Sequence, residues 1–256
     1  MRTKIATAIV ATAALGATAV APAQFNKPSA SQQVKLGKQA AAEVRQKERV
    51  LPSSDVRVQT LRRVARRILR GVNDGRQPWE YSFDVVDSEQ INAFALPGGP
   101  TFFYTGLLNR MRTEDELAAV LAHELTHVRR EHWAYQYRDQ QQRNAIFTLG
   151  ALIFRPSRDV ANLAGLGLSV LVDLPFSRKH ETESDDIGYQ LMVNAGYNPQ
   201  GMVDVFEMLS QASRGGKPPE FLSTHPNDRN RIRRIQDRIR KDNRNYPEMT
   251  PLPWSR

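Results

Sequence analysis

The sequence predicts an α+β fold that is mostly helical, with a small β-sheet immediately before a central helix. Several long stretches have apolar residues recurring at helical spacing. Between residues 79 and 105, large apolar and polar residues alternate instead, and the Pro-Gly-Gly-Pro run at 97–100 turns the chain. A length of 256 residues with 40% hydrophobic content is most simply one domain.

The predicted elements place the sheet between two early helices and the helices that follow. Helices are predicted at 34–50, 55–70, from Thr113 onward, from about 175 to Gly196, at 199–213 and at 229–241, and strands at 79–85, 91–96 and 101–105. Two apolar patches, 145–154 and 160–174, are shorter than the roughly 20 residues of a membrane-spanning helix. We expect a buried helical hairpin or a flap over the cleft, with shallow membrane contact as the alternative.

Residues 1–23 have the pattern of a secretory signal peptide. Arg2 and Lys4 precede an uncharged, Ala-rich run that ends in Ala-Pro-Ala at 21–23. We expect cleavage near Gln24 and export to the periplasm; an uncleaved anchor or a mitochondrial presequence are the alternatives. The remainder, 24–256, is expected to be a single domain with its core at about 34–241 and a Pro-rich tail at 245–256.

Composition limits the chemistry and the partners. The chain contains no cysteine, so any metal must be held by histidine and carboxylate. The net charge of +9 is concentrated in 61–70 and 229–241, two predicted helices with an apolar side opposite their arginines. We interpret these as solvated helix faces, with peripheral contact to an anionic membrane as the alternative. Nucleic-acid binding is not expected, because no recognised module accompanies the charge.

The central helix contains an HExxH metal-binding pattern. Thr113 and Glu116 form a capping-box signature, which predicts that the helix begins near Thr113. Residues four apart share a helix face, so His123 and His127 can bind one metal ion while Glu124 points toward a metal-bound water. A carboxylate on the core-facing side is costly unless something compensates it. The pattern predicts a catalytic zinc site, although HExxH also occurs by chance in ordinary helices.

A second acidic helix offers the rest of the site. Glu181 and Asp185 are four residues apart and therefore share a face. Glu181 can complete a set of two histidines, and Asp185 can accept the second ring N–H of a ligand histidine. Glu183 is the competing ligand, and we prefer Glu181 because only it has an acidic partner at this spacing. A solvated acidic face is the alternative.

In sequence the chain resembles the M48 family of gluzincin metallopeptidases, which includes CAAX prenyl proteases and periplasmic BepA-like proteases. The resemblance covers about residues 36–239, and an ordered set of five blocks supports it. The blocks are INAFALPGG with the TGLL that follows, ELAAVLAHELTHV, FSRKHETESDDIG, NAGYNP and STHPNDRNRI. The hydrophobic spans of the membrane-embedded branches and long C-terminal repeats are missing from this pattern, so it resembles a minimal exported member.

The resemblance implies roles for individual residues. His123, His127 and Glu181 match the ligands of one Zn²⁺ per chain, Glu124 the general base, and Asp185 the residue that supports a ligand histidine.

Two further positions follow from the same resemblance. His225 stands on a loop just before the last predicted helix, and it matches a family histidine that can approach or cap the metal; a surface histidine is the alternative. Arg231 matches the arginine that follows at this spacing, and with His225 it is assigned to assisting the oxyanion or gating the metal. Ser184 departs from the alanine usual in the family.

A predicted strand before the metal helix is the candidate substrate site. In zincins an edge strand beside the metal pairs with an extended peptide through main-chain hydrogen bonds. A plain structural hairpin is the alternative. The candidate residues are Asn92, Ala93, Phe94 and Ala95.

The predicted function is zinc-dependent hydrolysis of peptide bonds by an endopeptidase. The family suggests that the substrates are unfolded, misfolded or misassembled proteins of the cell envelope. The alternatives are a non-catalytic zinc-containing chaperone or assembly factor and a different zinc-dependent hydrolase. Glu124 favours catalysis, because a structural zinc site has no need of a carboxylate beside its histidines. The sequence leaves the oligomeric state undefined.

Overall fold

The computed structural model describes residues 26–75, 77–151, 175–215, 218–226 and 229–255. The predicted signal peptide and its cleavage site lie outside these residues, as does the apolar patch at 160–174; of the patch at 145–154, only the helical backbone of 145–151 is described. Within the described part of the chain, no helix is long and apolar enough to cross a bilayer.

Helices surround a three-stranded sheet, which confirms the predicted α+β class. The helices are α1 (Ala30–Lys47), α2 (Val56–Leu69), α3 (Thr105–Leu108), α4 (Glu114–Arg129), α5 (His132–Ala151), α6 (Arg178–Asn194), α7 (Gln200–Ala212), α8 (Phe221–Thr224) and α9 (Arg229–Asp242), and the strands are β1 (Ser82–Val86), β2 (Ala93–Ala95) and β3 (Pro100–Tyr104). A 3₁₀ turn, Ser213–Gly215, follows α7.

The central helix α4 begins where the sequence predicts. The Thr113 hydroxyl accepts from the Glu116 amide at 3.2 Å, and the Glu116 carboxylate accepts from the Thr113 amide, which completes the capping box. Every residue of α4 from 114 to 128 is buried, not only the core-facing side that carries Glu124. Helices α2, α6 and α7 and strand β2 enclose it on all sides. The metal-binding pattern therefore lies at the centre of the molecule.

The sheet has the order β1-β3-β2, with β1 parallel and β2 antiparallel to β3. Phe94 lies opposite Phe102, and their rings stack with centroids 5.3 Å apart. Gly98, in the turn between β2 and β3, has φ +83°, a conformation that favours glycine. A Cβ at this position would lie 2.5 Å from the Cα atom of Val34 in α1. The turn therefore packs closely against α1, and the sheet order leaves β2 as an edge strand.

The two arginine-rich helices are packed on the core, and most of their described charges are paired. Helix α2 buries Leu61, Val64 and Ile68 completely or nearly so. Burial of the apolar side agrees with the interpretation that the opposite, arginine-bearing side is solvated. One arginine is an exception. Arg231 in α9, which the family resemblance assigns to the metal site rather than to a solvated face, is only 4% exposed, because it binds acidic side chains inside the molecule.

The Pro-rich tail closes the N-terminal end of α4, a contact that its sequence did not indicate. The Glu114 amide, which lacks a partner within its own helix, donates to the Thr250 carbonyl at 2.7 Å. The Asp115 carboxylate accepts from the Thr250 amide at 2.9 Å. Leu252 is 2% exposed in the main core. Residues of the tail therefore belong to the folded core.

Gly201 allows α7 to approach α4, and its replacement tests this packing. A Cβ on Gly201 would lie 2.4 Å from the carbonyl carbon of Asp115. Alanine gains about 1 kcal/mol of helix propensity, but the clash with backbone outweighs it. We expect Gly201→Ala to lower the free energy of unfolding by about 3 kcal/mol in urea denaturation. Gly71→Ala is the control, because its Cβ would meet only Ile68 O at 3.7 Å; equal stabilities of the two variants would contradict this account.

Candidate metal centre

The two histidines of the HExxH pattern meet on one face of α4. The Nε2 atoms of His123 and His127 are 3.0 Å apart, and both side chains are almost fully buried. The spacing of four residues produces this arrangement, since one helical turn separates them. Phe176, which precedes α6, covers His127 with ring centroids 3.9 Å apart. Two imidazole nitrogens therefore point into the same closed space.

Helix α6 brings Glu181 to these histidines. Its Oε1 lies 3.3 Å from His127 Nε2, and its Oε2 lies 3.5 Å from His123 Nε2. Glu183 lies elsewhere, with Oε1 accepting from Arg130 Nε at 2.5 Å. The structure thus brings Glu181 rather than Glu183 to the HExxH residues. Burial opposes ionisation of Glu181, but the neighbouring His225 and His123 hold its pKa well below the usual range.

His225 joins the cluster from the loop after α8. Its Nδ1 lies 3.1 Å from Glu181 Oε1 and 3.3 Å from His123 Nε2. It is 1% exposed and stacks on Phe221 with ring centroids 4.4 Å apart, so it is not a surface histidine. Ligand atoms of His123, His127, Glu181 and His225 all lie within 4.8 Å of one another.

Glu124 lies beside this cluster and is 1% exposed. Its Oε2 accepts from the Ala95 amide at 2.9 Å, and its Oε1 lies 3.3 Å from His225 Nε2 without a hydrogen-bond partner. Burial raises the pKa of the Glu124 carboxyl, while the charges of His225 and His123 act in the opposite direction. One oxygen of Glu124 is thus held by the sheet, and the other is available to a molecule in the site.

Asp185 and Arg231 contact the ligand residues His123 and Glu181. Asp185 Oδ1 lies 3.2 Å from His123 Nδ1, the nitrogen that faces away from the cluster. Arg231 donates Nη2 and Nε to the two oxygens of Asp185 at 2.7 and 2.8 Å, and its Nη1 lies 2.7 Å from Glu181 Oε2. Burial would raise the pKa of Asp185, but the hydrogen bonds from Arg231 and the contact with His123 lower it. Asp185 is therefore held as a carboxylate.

The residues of the cluster fit a zinc ion. Zn²⁺ binds imidazole nitrogen and carboxylate oxygen, and catalytic sites use three protein ligands with an open position. His123, His127 and Glu181 supply two nitrogens and one carboxylate, all buried. Four such groups packed without an ion would leave polar atoms unsatisfied inside the core, which is costly. The donor set therefore fits Zn²⁺, with His225 adjacent to the three ligand groups.

The predicted edge strand lies directly beside Glu124. The residues that flank β2, Asn92 and Leu96, form backbone hydrogen bonds to β3. In an antiparallel pair the alternate residues point their backbone groups the other way, so those of Ala93 and Ala95 point away from β3. The Glu124 contact with the Ala95 amide lies on that side. Of the four predicted residues, Ala95 contacts Glu124 directly and Ala93 points its backbone groups the same way, whereas Asn92 and Phe94 point theirs toward β3.

His132 also reaches the site, although no pattern in the sequence indicates it. Its Nδ1 lies 3.1 Å from His127 Nδ1, and its Nε2 lies 3.2 Å from Glu183 Oε2. The available signal was a histidine five residues after His127. That spacing does not correspond to one face of a continuous helix, so it gave no reason to connect the two histidines.

An HExxH helix whose metal set is completed by a glutamate from a second helix defines a gluzincin-type metallopeptidase site. The comparison with known families agrees with this class. Residues 55–239 match the family described as Peptidase family M48. The chain belongs to peptidase family M48.

Individual relatives are metalloendopeptidases and proteases by name. The chain is 35% identical over 218 residues to the mitochondrial metalloendopeptidase OMA1 of Schizosaccharomyces pombe, covering 84% of this chain and 63% of the relative. It is 35% identical over 177 residues to the beta-barrel assembly-enhancing protease of Yersinia pestis, covering 66% and 36%. The protein of that name in Escherichia coli K12 is 32% identical over 180 residues, covering 67% and 37%. The chain therefore spans less than two thirds of the length of these relatives.

The contacts of Arg231 predict a large effect of its removal. Replacing it would leave Asp185 and Glu181 buried without their main cation, which costs about 3–5 kcal/mol. We expect Arg231→Met to lower the free energy of unfolding by that amount in urea, measured with EDTA present. Arg233→Met is the matched control, because Arg233 is exposed on the same helix and contacts only Asn230 among the described residues. A loss no larger than that of the control would contradict the assigned role.

Proposed function

We propose that this chain is a zinc-dependent endopeptidase that hydrolyses peptide bonds. The observation that supports this most directly is the position of Glu124, buried beside His123, His127 and Glu181 with one oxygen free. A site that only binds a metal for structure has no use for such a carboxylate. The single-domain organisation of residues 24–256 is part of the same proposal, with the predicted core at 34–241 extended to include Leu252 of the tail.

Individual residues of the chain have separate roles in the proposed hydrolysis. A Zn²⁺ ion held by His123, His127 and Glu181 would polarise the attacking water and the scissile carbonyl. Glu124 takes a proton from the water at Oε1 and passes it to the leaving nitrogen, as a general base and then a general acid. The raised pKa of Glu124 favours this exchange at neutral pH, because it brings proton affinity closer to that pH. Asp185 orients His123 through Nδ1.

Arg231 acts by positioning other residues rather than by touching the substrate. Its guanidinium donates to both oxygens of Asp185 and to the Pro226 carbonyl, and it contacts Glu181. These contacts use the donors that an oxyanion would need. Of the two residues assigned to the oxyanion or to gating, His225 is therefore the better candidate for direct contact with the reacting atoms.

The substrate is an extended peptide that pairs with the free edge of β2. The backbone groups of Ala93 and the carbonyl of Ala95 point away from β3 and supply the pairing positions, because the Ala95 amide already donates to Glu124; Asn92 and Phe94 complete the segment. Pairing there would lay the peptide beside Glu124, whose contact with the Ala95 amide marks the same edge. Edge pairing uses main-chain atoms, so it suits unfolded proteins of many sequences.

The physiological substrates that we propose are misfolded or misassembled proteins of the cell envelope, with the mature chain exported to the periplasm. The name beta-barrel assembly-enhancing protease of the bacterial relatives supports an envelope role. The relatives named mitochondrial metalloendopeptidase favour the alternative of a mitochondrial presequence at 1–23. Peripheral contact with anionic lipid is a weaker proposal, because arginines such as Arg62 and Arg63 already pair with Asp84 and Glu114.

Turnover of casein by the purified protein tests the proposed reaction. We expect Glu124→Gln to lower turnover by about 10²–10⁴-fold, because glutamine cannot accept the proton. Zinc content, measured on the same samples, should be unchanged, since Glu124 is not a ligand. Retained turnover in Glu124→Gln would exclude this mechanism. Zinc in both proteins with cleavage by neither would favour a binding protein or a latent protease.

His225 provides a second test, because it lies where a water or substrate would approach the ligands. If it occupies the open metal position at rest, His225→Ala should increase basal casein turnover. The double variant His225→Ala with Glu124→Gln should stay inactive, which shows that the gain arises from this site. A decrease of turnover in His225→Ala would contradict the blocking role and assign His225 to the reaction itself.

A further inference from the structure

We propose that His132 and Glu183 form a relay that positions His127 for the metal. This inference rests on the zinc site of the proposed function and concerns residues outside its ligand set. His132 is a positioning residue, since it touches a ligand histidine and neither the substrate nor the cluster centre. The relay runs from His127 through His132 to Glu183.

A break between two helices brings His132 back to His127. Helix α4 ends at Arg129 and α5 begins at His132. Between them Glu131 has φ +55°, a left-handed conformation that is uncommon for a residue other than glycine. Five residues along a continuous helix would place the two histidines on different faces. The left-handed conformation at Glu131 instead brings the Nδ1 atoms of His127 and His132 to 3.1 Å from each other.

The hydrogen-bond directions of the relay follow from the role of His127. Its Nε2 faces Glu181 and His123, so a metal bound there leaves the proton on Nδ1. His127 Nδ1–H then donates to His132 Nδ1, which must be unprotonated. His132 in turn carries its proton on Nε2 and donates to Glu183 Oε2 at 3.2 Å. Each ring thus has one donor and one acceptor, and every polar atom of the relay is used.

The surroundings of His132 hold its ring in one orientation. The residue is 2% exposed and stacks on His180 with ring centroids 4.4 Å apart and planes 12° apart. This packing keeps the His132 Nδ1 atom directed at His127.

Glu183 anchors the outer end of the relay. Its side chain is 27% exposed, and it accepts from Arg130 Nε at 2.5 Å as well as from His132. The two ligand histidines are therefore supported differently. Asp185 contacts His123 directly, whereas Glu183 reaches His127 only through His132. Outer partners of this kind fix the ring orientation and raise the basicity of a metal-bound histidine.

Zinc affinity of the metal-free full chain, measured by competition with a chromophoric chelator, tests the relay. Phenylalanine keeps the ring of His132 without its nitrogens, so His132→Phe should weaken zinc binding by about 10–100-fold. His132→Asn keeps a polar atom near the Nδ1 position and should recover part of this loss. Glu183→Gln, at a partly exposed position, should give a smaller loss. Thermal unfolding of each metal-free variant separates this effect from loss of packing.

One control variant should bind zinc as the wild type does. Asp186→Asn removes an exposed carboxylate of α6 that pairs with Arg238 and lies outside the relay. The relay is overturned if His132→Phe and Glu183→Gln both bind zinc as tightly as Asp186→Asn does. A wild-type chain without zinc affinity would overturn the proposed function as well, so the two failures are distinguishable.

Discussion

The structure depends on the compensation of carboxylates buried at its centre. Glu124, Glu181 and Asp185 are each at most 2% exposed, and an isolated ionised carboxylate in such a place costs several kcal/mol. Each is matched by a partner from a different part of the chain. Arg231 lies against Asp185 and Glu181, and the Ala95 amide donates to Glu124. The carboxylates of α6 are compensated by Arg231 from α9, and that of Glu124 in α4 by the Ala95 amide at the edge of the sheet. Compensation of these charges therefore explains why α9 and the sheet edge both lie at the centre.

This constraint explains why the metal-binding helix is enclosed rather than laid on the surface of a core. The first turn of α4 is satisfied by its capping box and by the tail, and its centre contacts β2, α6 and α7. Close approach is possible because glycine stands where α7 crosses α4 and where α6 passes His123; a Cβ on Gly188 would lie 3.3 Å from the His123 amide nitrogen. Rigid surroundings of this kind hold ligand groups in a fixed geometry, which metal sites require.

Local features were predictable from the sequence, and long-range pairings were not. The capping box at Thr113, the shared face of His123 and His127, and the preference for Glu181 each depend on spacings within one helix; the structure contains the capping box and places Glu181 beside the two histidines. The pattern of α9 is that of a solvated arginine face and does not indicate that Arg231 is buried against Asp185, 46 residues away; only the family resemblance assigns Arg231 to the site. His132 was missed because its contact with His127 requires the reversed backbone at Glu131, which no periodicity reveals. The role of the tail was hidden by a composition typical of loose segments.

The contact between the tail and α4 has a consequence for the timing of biosynthesis. Asp115 and its partner Thr250 are separated by 135 residues. At the 5–20 residues per second of protein synthesis, roughly 7 to 27 s pass between the appearance of these two residues. The ribosome therefore completes the histidine-bearing helix long before the tail residues that contact its first turn exist. The capping box of this helix is available at once, whereas its contact with the tail can form only after nearly the whole chain has been synthesised.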